Sequence, residues 1–569
     1  MTAIADLPPG LLMMIGALFL PLLARRMQAW TVLALSALSL ALFILTPSGD
    51  HGNLTLFGAE LHLVRIDSIS RPFAIVFHLA AIISAIYALH VRDPRQHVAG
   101  ALYAGAAIAA ACAGDLLTLF VFWELTAISS VFLIWASDNE RSYRAGMRYL
   151  IIQVTSGVLL LSGAIVQYVE TGSLSFTSFV GADEGLTLAG KLILVAFGIK
   201  CAFPLLHNWL QDSYPKATVT GTVFLSAFTT KLAVYSLIRG FAGFEPLIWV
   251  GCAMTLFPIV FAVIENDLRR VLAYSLNNQL GFMVVGIGIG TELAINGTVA
   301  HAFCHIIYKS LLFMSMGAVL YRVGTIKATE LGGLHKSMPW TTTFCLIGAG
   351  AISGFPLLSG FVSKSMIISA AAEQHMLGVW IVLLIASAGV MEHSGIKIPF
   401  FAFFAHDSGK RVQEAPRNML VAMAMASAGC IILGTAYPLL YGLLPHTLDY
   451  HPYTTTHVVT QLQLLMFAGL AFVFLMKMGW YPAEQRATVL DTDWFYRIAI
   501  PRLVAKLRTG IVAADSAVRT AFISGLTDVL DYARAAFCET GLFGRTWSTN
   551  AMAFWASALL AASLVVYYL

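Results

Sequence analysis

Apolar stretches follow one another along almost the whole chain and are separated by short polar loops. A helix that crosses a membrane needs about 20 mostly apolar residues. We predict sixteen such spans, at residues 8–24, 28–46, 70–90, 98–113, 115–136, 145–169, 188–210, 218–240, 246–264, 270–290, 295–321, 340–372, 377–405, 418–442, 462–480 and 551–569. The pattern therefore predicts an all-α, polytopic membrane protein of 14 to 16 transmembrane helices.

Two of the predicted spans contain a proline. Pro204 lies in the seventh span and Pro356 in the twelfth. Proline lacks an amide hydrogen and clashes with the preceding turn, so we expect both helices to be broken. Residues 98–240 and 246–405 form two repeats of five helices, the second inverted because five is odd, and the broken helix comes fourth in each. Matched interruptions in inverted repeats indicate a transport site near the middle of the membrane.

Three other segments complete the predicted organisation. Residues 1–97 combine three helices with an external hairpin, which the alternation of apolar and polar residues in 51–66 predicts. Residues 418–480 add two helices. Residues 493–569 are predicted to form an amphipathic helix and a last span. The apolar face of that helix contains Leu503, Leu507, Ile511, Val518, Phe522, Leu526 and Val529; it either lies in the cytoplasmic interface or packs against a partner subunit.

Charge alternates between the loops. If the N-terminus is outside, every cytoplasmic loop carries Lys or Arg, from Arg25 and Arg26 to the basic segment after 480. The opposite loops carry few cations and more acids, among them Asp183, Glu184 and Glu245. Cytoplasmic loops are the Lys/Arg-rich ones, so this alternation predicts the topology.

Composition supports a membrane protein and excludes some functions. Only 11% of the 569 residues are charged and 58% are hydrophobic, whereas a soluble domain has roughly 25% charged residues. The net charge is +4 and the basic residues are scattered over short loops, so we expect no nucleic-acid partner. The seven cysteines form no CxxC pair and six lie in apolar stretches. We therefore expect neither disulfides nor iron–sulfur clusters, and we predict no bound cofactor or metal.

Ionisable side chains nevertheless lie inside the predicted spans. A charged side chain at the centre of a bilayer costs ~3 kcal/mol or more, so each one needs a reason. Our principal candidates for proton transfer are Glu124, Lys200, Lys231, His305 and Lys364. Secondary candidates are His301, Lys309, Lys397, Glu392 and His393. Of these, His301, His305 and Lys309 recur every four residues and share one helical face.

Lysines outnumber acids in this set, so ion pairs that fix helix packing would explain only part of it. Burial disfavours the ammonium form, and such a lysine takes up and releases protons near neutral pH. A carboxylate that approaches and withdraws would modulate that exchange. We therefore interpret the set as a path for ions, with protons as the expected cargo. A structural anchor without transport function is the alternative.

Several motifs resemble those of one family. They are Phe120-Val-Phe-Trp-Glu124-Leu, Gly198-Ile-Lys200-Cys-Ala-Phe-Pro204, Lys231, the loop and helix start at 265–275, His301-x3-His305-x3-Lys309 and Gly354-Phe-Pro356-Leu-Leu-Ser-Gly360-Phe-Val-Ser-Lys364. Over residues 60–440 the chain resembles the antiporter-like subunits of respiratory complex I and of Mrp-type multi-subunit cation/proton antiporters. Lys364 and the segment 490–497 are most similar to the D-type Mrp subunit. The tail 493–569 departs from that D-type pattern and is similar, in shorter form, to the lateral helix of the largest complex I antiporter-like subunit.

The resemblance implies roles for the candidates. Glu124 would pair with Lys200 and modulate its proton affinity, Lys231 and His305 would link two half-channels, and Lys364 would be the terminal exchanging lysine. It implies a subunit that translocates protons, or protons and sodium, in a multi-subunit antiporter of the bacterial inner (plasma) membrane. The expected partners are other membrane subunits of the same complex and the lipid bilayer.

Two other functions remain open on the sequence. The same bundle would serve as the pumping module of a redox-driven complex, such as an NADH-quinone oxidoreductase or a membrane-bound hydrogenase. The chain is then part of an enzyme rather than a transporter by itself. A haem protein that uses His301, His305 or His393 as ligands is disfavoured, because histidines at i and i+4 lie on one helical face and do not grip both sides of one haem.

Overall fold

The computed structural model describes residues 6–56, 58–181, 185–482, 485 and 489–568. Asp183 and Glu184, which the charge pattern assigns to an outer loop, lie outside these residues, and so does Leu569 at the end of the last predicted span. The chain divides into two compact units, Met1–Asp491 and Thr492–Leu569.

The first unit is a helical bundle with one hairpin. Its helices are α1 (Leu11–Phe19), α2 (Arg25–Leu45), α3 (Ser70–Tyr87), α4 (Pro94–Ala111), α5 (Leu116–Trp135), α6 (Glu140–Thr171), α7 (Leu188–Cys201), α8 (Asn208–Ser213), α9 (Val219–Ala227), α10 (Thr229–Phe241), α11 (Pro246–Ile264), α12 (Leu268–Ile289), α13 (Glu292–Val323), α14 (Pro339–Ser353), α15 (Ser359–Glu373), α16 (Leu377–Val390), α17 (Arg417–Thr435), α18 (Tyr437–Tyr441) and α19 (Thr455–Lys477). Beyond α16 the chain continues through π-helical turns at Met391–Ile396 and Phe400–Phe404, on either side of a short α-turn at Lys397–Pro399. Short 3₁₀ turns lie at Leu20–Leu22, Tyr214–Lys216, Ala328–Glu330 and Leu334–Lys336.

The predicted hairpin and the predicted spans are present. Strands β1 (Gly49–Leu56) and β2 (Ala59–Ile66) pair antiparallel, with Gly49 opposite Ile66. Every predicted span coincides with one helix or with consecutive helical segments. In the described part of the chain, eleven helical segments are long and apolar enough to cross a membrane. The prediction of a polytopic helical membrane protein is confirmed.

Three helices begin several residues before the predicted start of their span. The spans predicted to begin at 98, 145 and 462 begin at Pro94, Glu140 and Thr455. Their first turns are polar, and they are capped by the side chains of Asp93, Asn139 and Thr454. Hydropathy marks only the part of a helix in apolar surroundings, whereas the capping residue sets where the helix begins.

Both helices with a central proline are broken, and the two breaks share one conformation. Each contains a Phe-Pro-Leu sequence. The residue before the Phe and the Leu itself lie in the left-handed region, with φ of 62° and 70° at Ala202 and Leu205 and of 75° and 73° at Gly354 and Leu357. In each, the amide of the Phe closes the last helical turn on the carbonyl five residues earlier, at 2.9 Å. The predicted interruptions at Pro204 and Pro356 are confirmed.

The expectation that only two spans are irregular is wrong. The eighth span is interrupted at Phe228, the fourteenth at Ala436, and the thirteenth winds into the π-helical turns after α16. Phe228 has no neighbouring Pro or Gly to reveal its interruption. There, the amide of Thr229 donates to the Tyr103 hydroxyl at 3.0 Å instead of to a carbonyl in its own helix. A tertiary contact therefore produces this break.

Loops predicted to share one side of the membrane contact one another. At the Lys/Arg-rich end of the bundle, Lys336 and Asp407 pair at 2.8 Å. The Arg411 guanidinium, together with Lys336, holds the pKa of Asp407 below its ordinary value. At the opposite end, the end of the hairpin, Arg239 and Asp67 pair at 2.7 Å. These pairs join segments that are far apart in the sequence, at the two ends of the bundle.

The core of the first unit is built around α13. Almost every residue of this helix from Leu293 to Val319 is buried, and every residue of 220–238 beside it is buried. Helices α11 and α12 approach each other backbone to backbone, since a Cβ on Gly281 would lie 2.6 Å from the Thr255 amide nitrogen. Small residues allow this close packing in membranes, where lipid removes the hydrophobic force between helices.

The second unit contains a π-helical turn at Phe495–Ala499, α20 (Ile500–Phe537) and α21 (Thr549–Tyr568). Helix α20 is about 57 Å long at 1.5 Å per residue. The predicted helix and the last predicted span are therefore present. None of the α20 side chains is buried, and the apolar face predicted from the sequence is exposed, from 50% at Leu526 to 71% at Phe522.

We predict that Gly281→Leu destabilises the bundle by about 3 kcal/mol or more, because overpacking against side chains already costs about 1–3 kcal/mol and here the obstacle is backbone. Thermal unfolding of the detergent-purified protein measures this change. Gly378→Leu is the matched control, since nothing lies within 4 Å of a Cβ at that exposed position. Equal stability of the two variants would contradict the close packing of α11 and α12.

Candidate functional site

Lys200 lies at the end of α7, just before the first break, and is fully buried. Its Nζ donates to the Trp123 carbonyl at 2.6 Å and to the Thr126 hydroxyl at 2.8 Å. It also lies 4.2 Å from the centre of the Trp123 ring. The Trp123 indole in turn donates to the Ser156 hydroxyl at 3.0 Å. Two neutral oxygens and an aromatic face therefore solvate this amine.

Glu124 is half-buried on α5, one residue beyond Trp123. Its carboxylate lies against Gly157 of α6, where any larger side chain would overlap Oε1. Within the described residues, Oε1 has no hydrogen-bond partner and Glu124 forms no ion pair shorter than 4 Å with Lys200. The two groups lie within electrostatic range of each other. The structure thus places them as neighbours, without the direct pair that the resemblance implied.

Lys231 lies in the first turn of α10, directly after the interruption at Phe228. Its Nζ donates to the Ser226 carbonyl at 2.5 Å. That carbonyl would be occupied by a backbone amide if the helix were continuous. The interruption therefore supplies the oxygen that holds the amine.

Helix α13 carries three titratable groups through the centre of the bundle. His305 and Lys309 are fully buried, and neither the two ring nitrogens nor Nζ has a hydrogen-bond partner in the described part of the chain. His301 is more constrained, since Nδ1 lies 3.1 Å from the Ser363 hydroxyl and Nε2 lies 3.2 Å from the Gln279 amide oxygen. The His301 and His305 rings stack with centroids 6.2 Å apart.

Lys364 lies on α15 just beyond the second break, with 2% of its surface exposed. Its Nζ donates to the Ile352 carbonyl at 3.0 Å, across the break, and lies 5.2 Å from the centre of the Phe282 ring. Ile352 is two residues before the left-handed Gly354, as Lys200 is two residues before the left-handed Ala202. Lys200 and Ile352, the partner of Lys364, therefore occupy corresponding positions in the two breaks.

The three candidates after α16 differ in their surroundings. Lys397 is buried and donates to the carbonyls of Ala262, Val263 and Glu265 at 2.5–3.1 Å, at the end of α11. Nδ1 of His393 lies 2.8 Å from the Ser394 hydroxyl. Glu392 is half-buried and accepts from the Tyr481 hydroxyl at 2.6 Å. The π-helical turn that carries Glu392 and His393 is a feature found frequently at functional sites.

Most of these groups lie within electrostatic range of a neighbour in the set. His305 is in range of Lys231, Lys309, His301 and Lys364, and His393 is in range of Lys309, Lys397 and Lys364. We define the buried row as Glu124, Lys200, Lys231, Lys309, His305, His301 and Lys364. The connection between Lys200 and Lys231 is the least direct in the row. Cys201, which follows Lys200 in the chain, is the group within electrostatic range of Lys231.

Sequence reasoning missed the neutral partners of the row. Gln279 joins His301 and the Tyr308 hydroxyl, and Ser226 supplies the carbonyl for Lys231. A polar Asn-Asn-Gln run at 277–279, within an otherwise apolar span, was the available signal for Gln279. In the described residues, no group of three or more His, Cys, Asp or Glu side chains is arranged to hold a metal ion.

The comparisons with known proteins identify the family of the chain. The family model for NADH:quinone oxidoreductase/Mrp antiporter transmembrane regions matches residues 113–391. The D-type component of a Na(+)/H(+) antiporter from Alkalihalophilus pseudofirmus is 32% identical over 342 residues, which cover 57% of this chain and 69% of that protein. The chain belongs to the NADH:quinone oxidoreductase/Mrp antiporter family. The resemblance drawn from the sequence motifs is confirmed.

Proteins from different kinds of complex are similar to the chain. Hydrogenase-4 component B from Escherichia coli (strain K12) is 27% identical over 446 residues, covering 71% of this chain and 66% of that protein. A chain in the structure of the Mrp complex from Dietzia sp. DQ12-45-1b shares the fold, with a TM-score of 0.73 and 22% identity over 98% of this chain and 62% of that one. The chain thus spans about two thirds of the length of these proteins.

We predict that Gly157→Ala displaces the Glu124 carboxylate, because the new methyl group would overlap Oε1. The fold should tolerate the change, since only the end of a flexible side chain has to move. Infrared spectroscopy of the purified protein should show a shift of the Glu124 carboxyl band, assigned by its loss in Glu124→Gln. The control is Gly469→Ala, at a helical glycine with nothing within 4 Å. An unshifted band in Gly157→Ala would contradict this contact.

Proposed function

We propose that this chain is the proton-translocating subunit of a multi-subunit monovalent cation/proton antiporter in a bacterial plasma membrane. Protons would move along the buried row between Glu124 and Lys364. The observation that carries the proposal is that buried lysines in an apolar bundle are held by backbone carbonyls rather than by carboxylates. Family membership supports it, and sodium is proposed as the exchanged cation from the name of the Na(+)/H(+) antiporter relative.

Carbonyl partners suit an amine that changes its protonation state. A carboxylate partner would favour the ammonium form strongly and hold the proton. A carbonyl oxygen accepts a hydrogen bond both from an ammonium group and from a neutral amine, because the neutral amine still carries two hydrogens. When Lys200, Lys231 or Lys364 releases a proton, the neutral amine therefore keeps its hydrogen bond, and no carboxylate partner is left with an unpaired charge.

Glu124 provides control at one end of the row. A negative carboxylate within electrostatic range favours the ammonium form of Lys200. When Glu124 is neutralised, that support is lost and Lys200 passes its proton towards Lys231. Glu124 is half-buried, and its neighbours Val121 and Ile128 on α5 are 52% and 48% exposed. We propose that a neighbouring membrane subunit covers this face of α5 and sets the charge state of Glu124.

The middle of the row would conduct through water. His305 and Lys309 have buried nitrogens without hydrogen-bond partners in the described part of the chain. Buried polar groups of this kind bind water, and bridging waters make hydrogen bonds nearly as favourable as direct ones. Imidazole can accept a proton on one nitrogen and donate from the other. His305 is therefore placed to pass protons between Lys231 and Lys364.

A second candidate is the pumping module of a redox-driven complex. The similarity to hydrogenase-4 component B over 71% of the chain favours it. In that case the row would work in the same way, driven by electron transfer in other subunits. Purification of the native complex distinguishes the two functions, because a redox-driven complex carries flavin or iron absorbance and co-purifies with its redox subunits.

We predict that Lys200→Ala lowers proton movement by about 100-fold or more, the lower end of what positioned proton-transfer groups contribute. The measurement is the quenching of a pH-sensitive dye in liposomes that contain the complex, after a sodium gradient is imposed. Lys191→Ala is the control, because Lys191 is on the same helix but exposed. Assembly, judged by co-purification of the other subunits, should be unchanged in both variants. Full proton movement by assembled Lys200→Ala would overturn the proposed role of the row.

A further inference from the structure

A cavity of about 210 Å³ adjoins Lys364 at the hairpin end of the bundle. It is lined by α15, α16 and α19 and by the second break. It extends from buried Lys364 to Ala372 and Thr456, which are exposed and lie within one turn of the ends of α15 and α19. Lys364 therefore has a path towards that side of the membrane.

The wall that α19 contributes to this cavity is polar. Thr456, His457, Thr460 and Gln461 all line it. The spacing places them on one helical face in the first two turns. From Leu464 to Met476 α19 is apolar, and Leu470 and Val473 are 56% and 48% exposed. A helix that is largely apolar thus turns four polar residues to the cavity of Lys364.

Two residues on or just before α19 hold the second break in place. The Gln461 amide donates to the Ser353 carbonyl at 3.0 Å. The Leu357 amide donates to the Tyr453 hydroxyl at 3.2 Å, in the loop that leads into α19. The backbone groups released by the break are therefore satisfied by this segment. His457, one turn before Gln461, has a fixed position relative to the break.

Among the described residues that line the cavity, His457 supplies the one imidazole. Its Nδ1 is buried and has no hydrogen-bond partner in the described part of the chain. Two titratable groups lie near it on the surrounding elements, Lys364 across the cavity and Tyr450 with its ring centroid 6.1 Å away. Glu373, at the end of α15, is within electrostatic range of Tyr450. Helix α16 contributes only Trp380 and Leu384, which do not titrate.

We infer that His457 relays protons between Lys364 and the water at the hairpin end of the bundle. A proton leaves the Lys364 ammonium, passes through water in the cavity to one imidazole nitrogen, and the other nitrogen releases a proton to the outside. Reversal of these steps carries protons inwards. The inference rests on the proposed function, because it gives the buried row its terminal group.

The test compares His457→Ala, Lys364→Ala and His451→Ala in liposomes that contain the whole complex. His451 is an exposed histidine of the preceding loop that lies outside the cavity. We expect His457→Ala to lower proton movement about tenfold, less than the ~10²–10⁴-fold of an obligatory proton-transfer group, because water in the cavity retains part of the flow. Imidazole added on the hairpin side should restore most of the loss, since it replaces the missing ring.

The outcomes separate the relay from the proposed function. If Lys364→Ala loses proton movement while His457→Ala keeps it in full, the relay is overturned and the proposed role of the buried row stands. Loss in His457→Ala that imidazole does not restore also overturns the relay, because a structural role is not rescued by a free proton carrier. Full activity in Lys364→Ala would overturn the row itself, and the relay with it.

Thiol labelling tests the cavity without relying on activity. Six of the seven cysteines are buried, so replacement of exposed Cys538 by Ser gives a suitable background. A membrane-impermeant methanethiosulfonate applied on the hairpin side should label Thr460→Cys, which lines the cavity. It should not label Val473→Cys, which is exposed on the apolar part of the same helix. Failure to label Thr460→Cys would contradict a water-accessible path to Lys364.

Discussion

The hydrogen bond between a buried amine and a backbone carbonyl is the interaction on which this structure depends. Lys200, Lys231, Lys364 and Lys397 each make at least one such bond. An apolar bundle cannot hold lysines without polar partners, because an unpaired buried charge costs several kcal/mol. Carboxylates would meet that need but would also fix the proton. Carbonyls solvate the amine in either protonation state.

Three of these four lysines donate to carbonyls at a helix interruption or helix end, whereas Lys200 donates to the Trp123 carbonyl within the continuous helix α5. A continuous helix occupies nearly all its carbonyls internally. The break at Gly354 serves Lys364, the interruption at Phe228 serves Lys231, and the end of α11 serves Lys397. The irregular backbone of this membrane protein therefore supplies partners for Lys231, Lys364 and Lys397. Irregular backbone at membrane depth is tolerated only where it is enclosed in protein or lines a water-filled space.

The sequence predicted the parts of this design that rest on local chemistry. Prolines marked both central breaks, and the apolar stretches located every span. The spacing of His301, His305 and Lys309 predicted their common helical face. It could not reveal the interruption at Phe228, which depends on Tyr103 from another helix. The family resemblance implied that Glu124 pairs with Lys200, but it did not reveal the Trp123 carbonyl to which the amine donates. Tertiary contacts decide such partners.

The central claim is that the buried amines change protonation state in place while protons move through the bundle. Its most direct test is ¹⁵N NMR of the complex in liposomes, with the lysine Nζ atoms of this chain alone labelled and the proton gradient reversed during the measurement. The account predicts that the signals of Lys200, Lys231 and Lys364, assigned by substitution, move between ammonium and amine positions, while exposed lysines such as Lys191 stay ammonium. Signals from the three buried amines that keep one position under both gradients would contradict it.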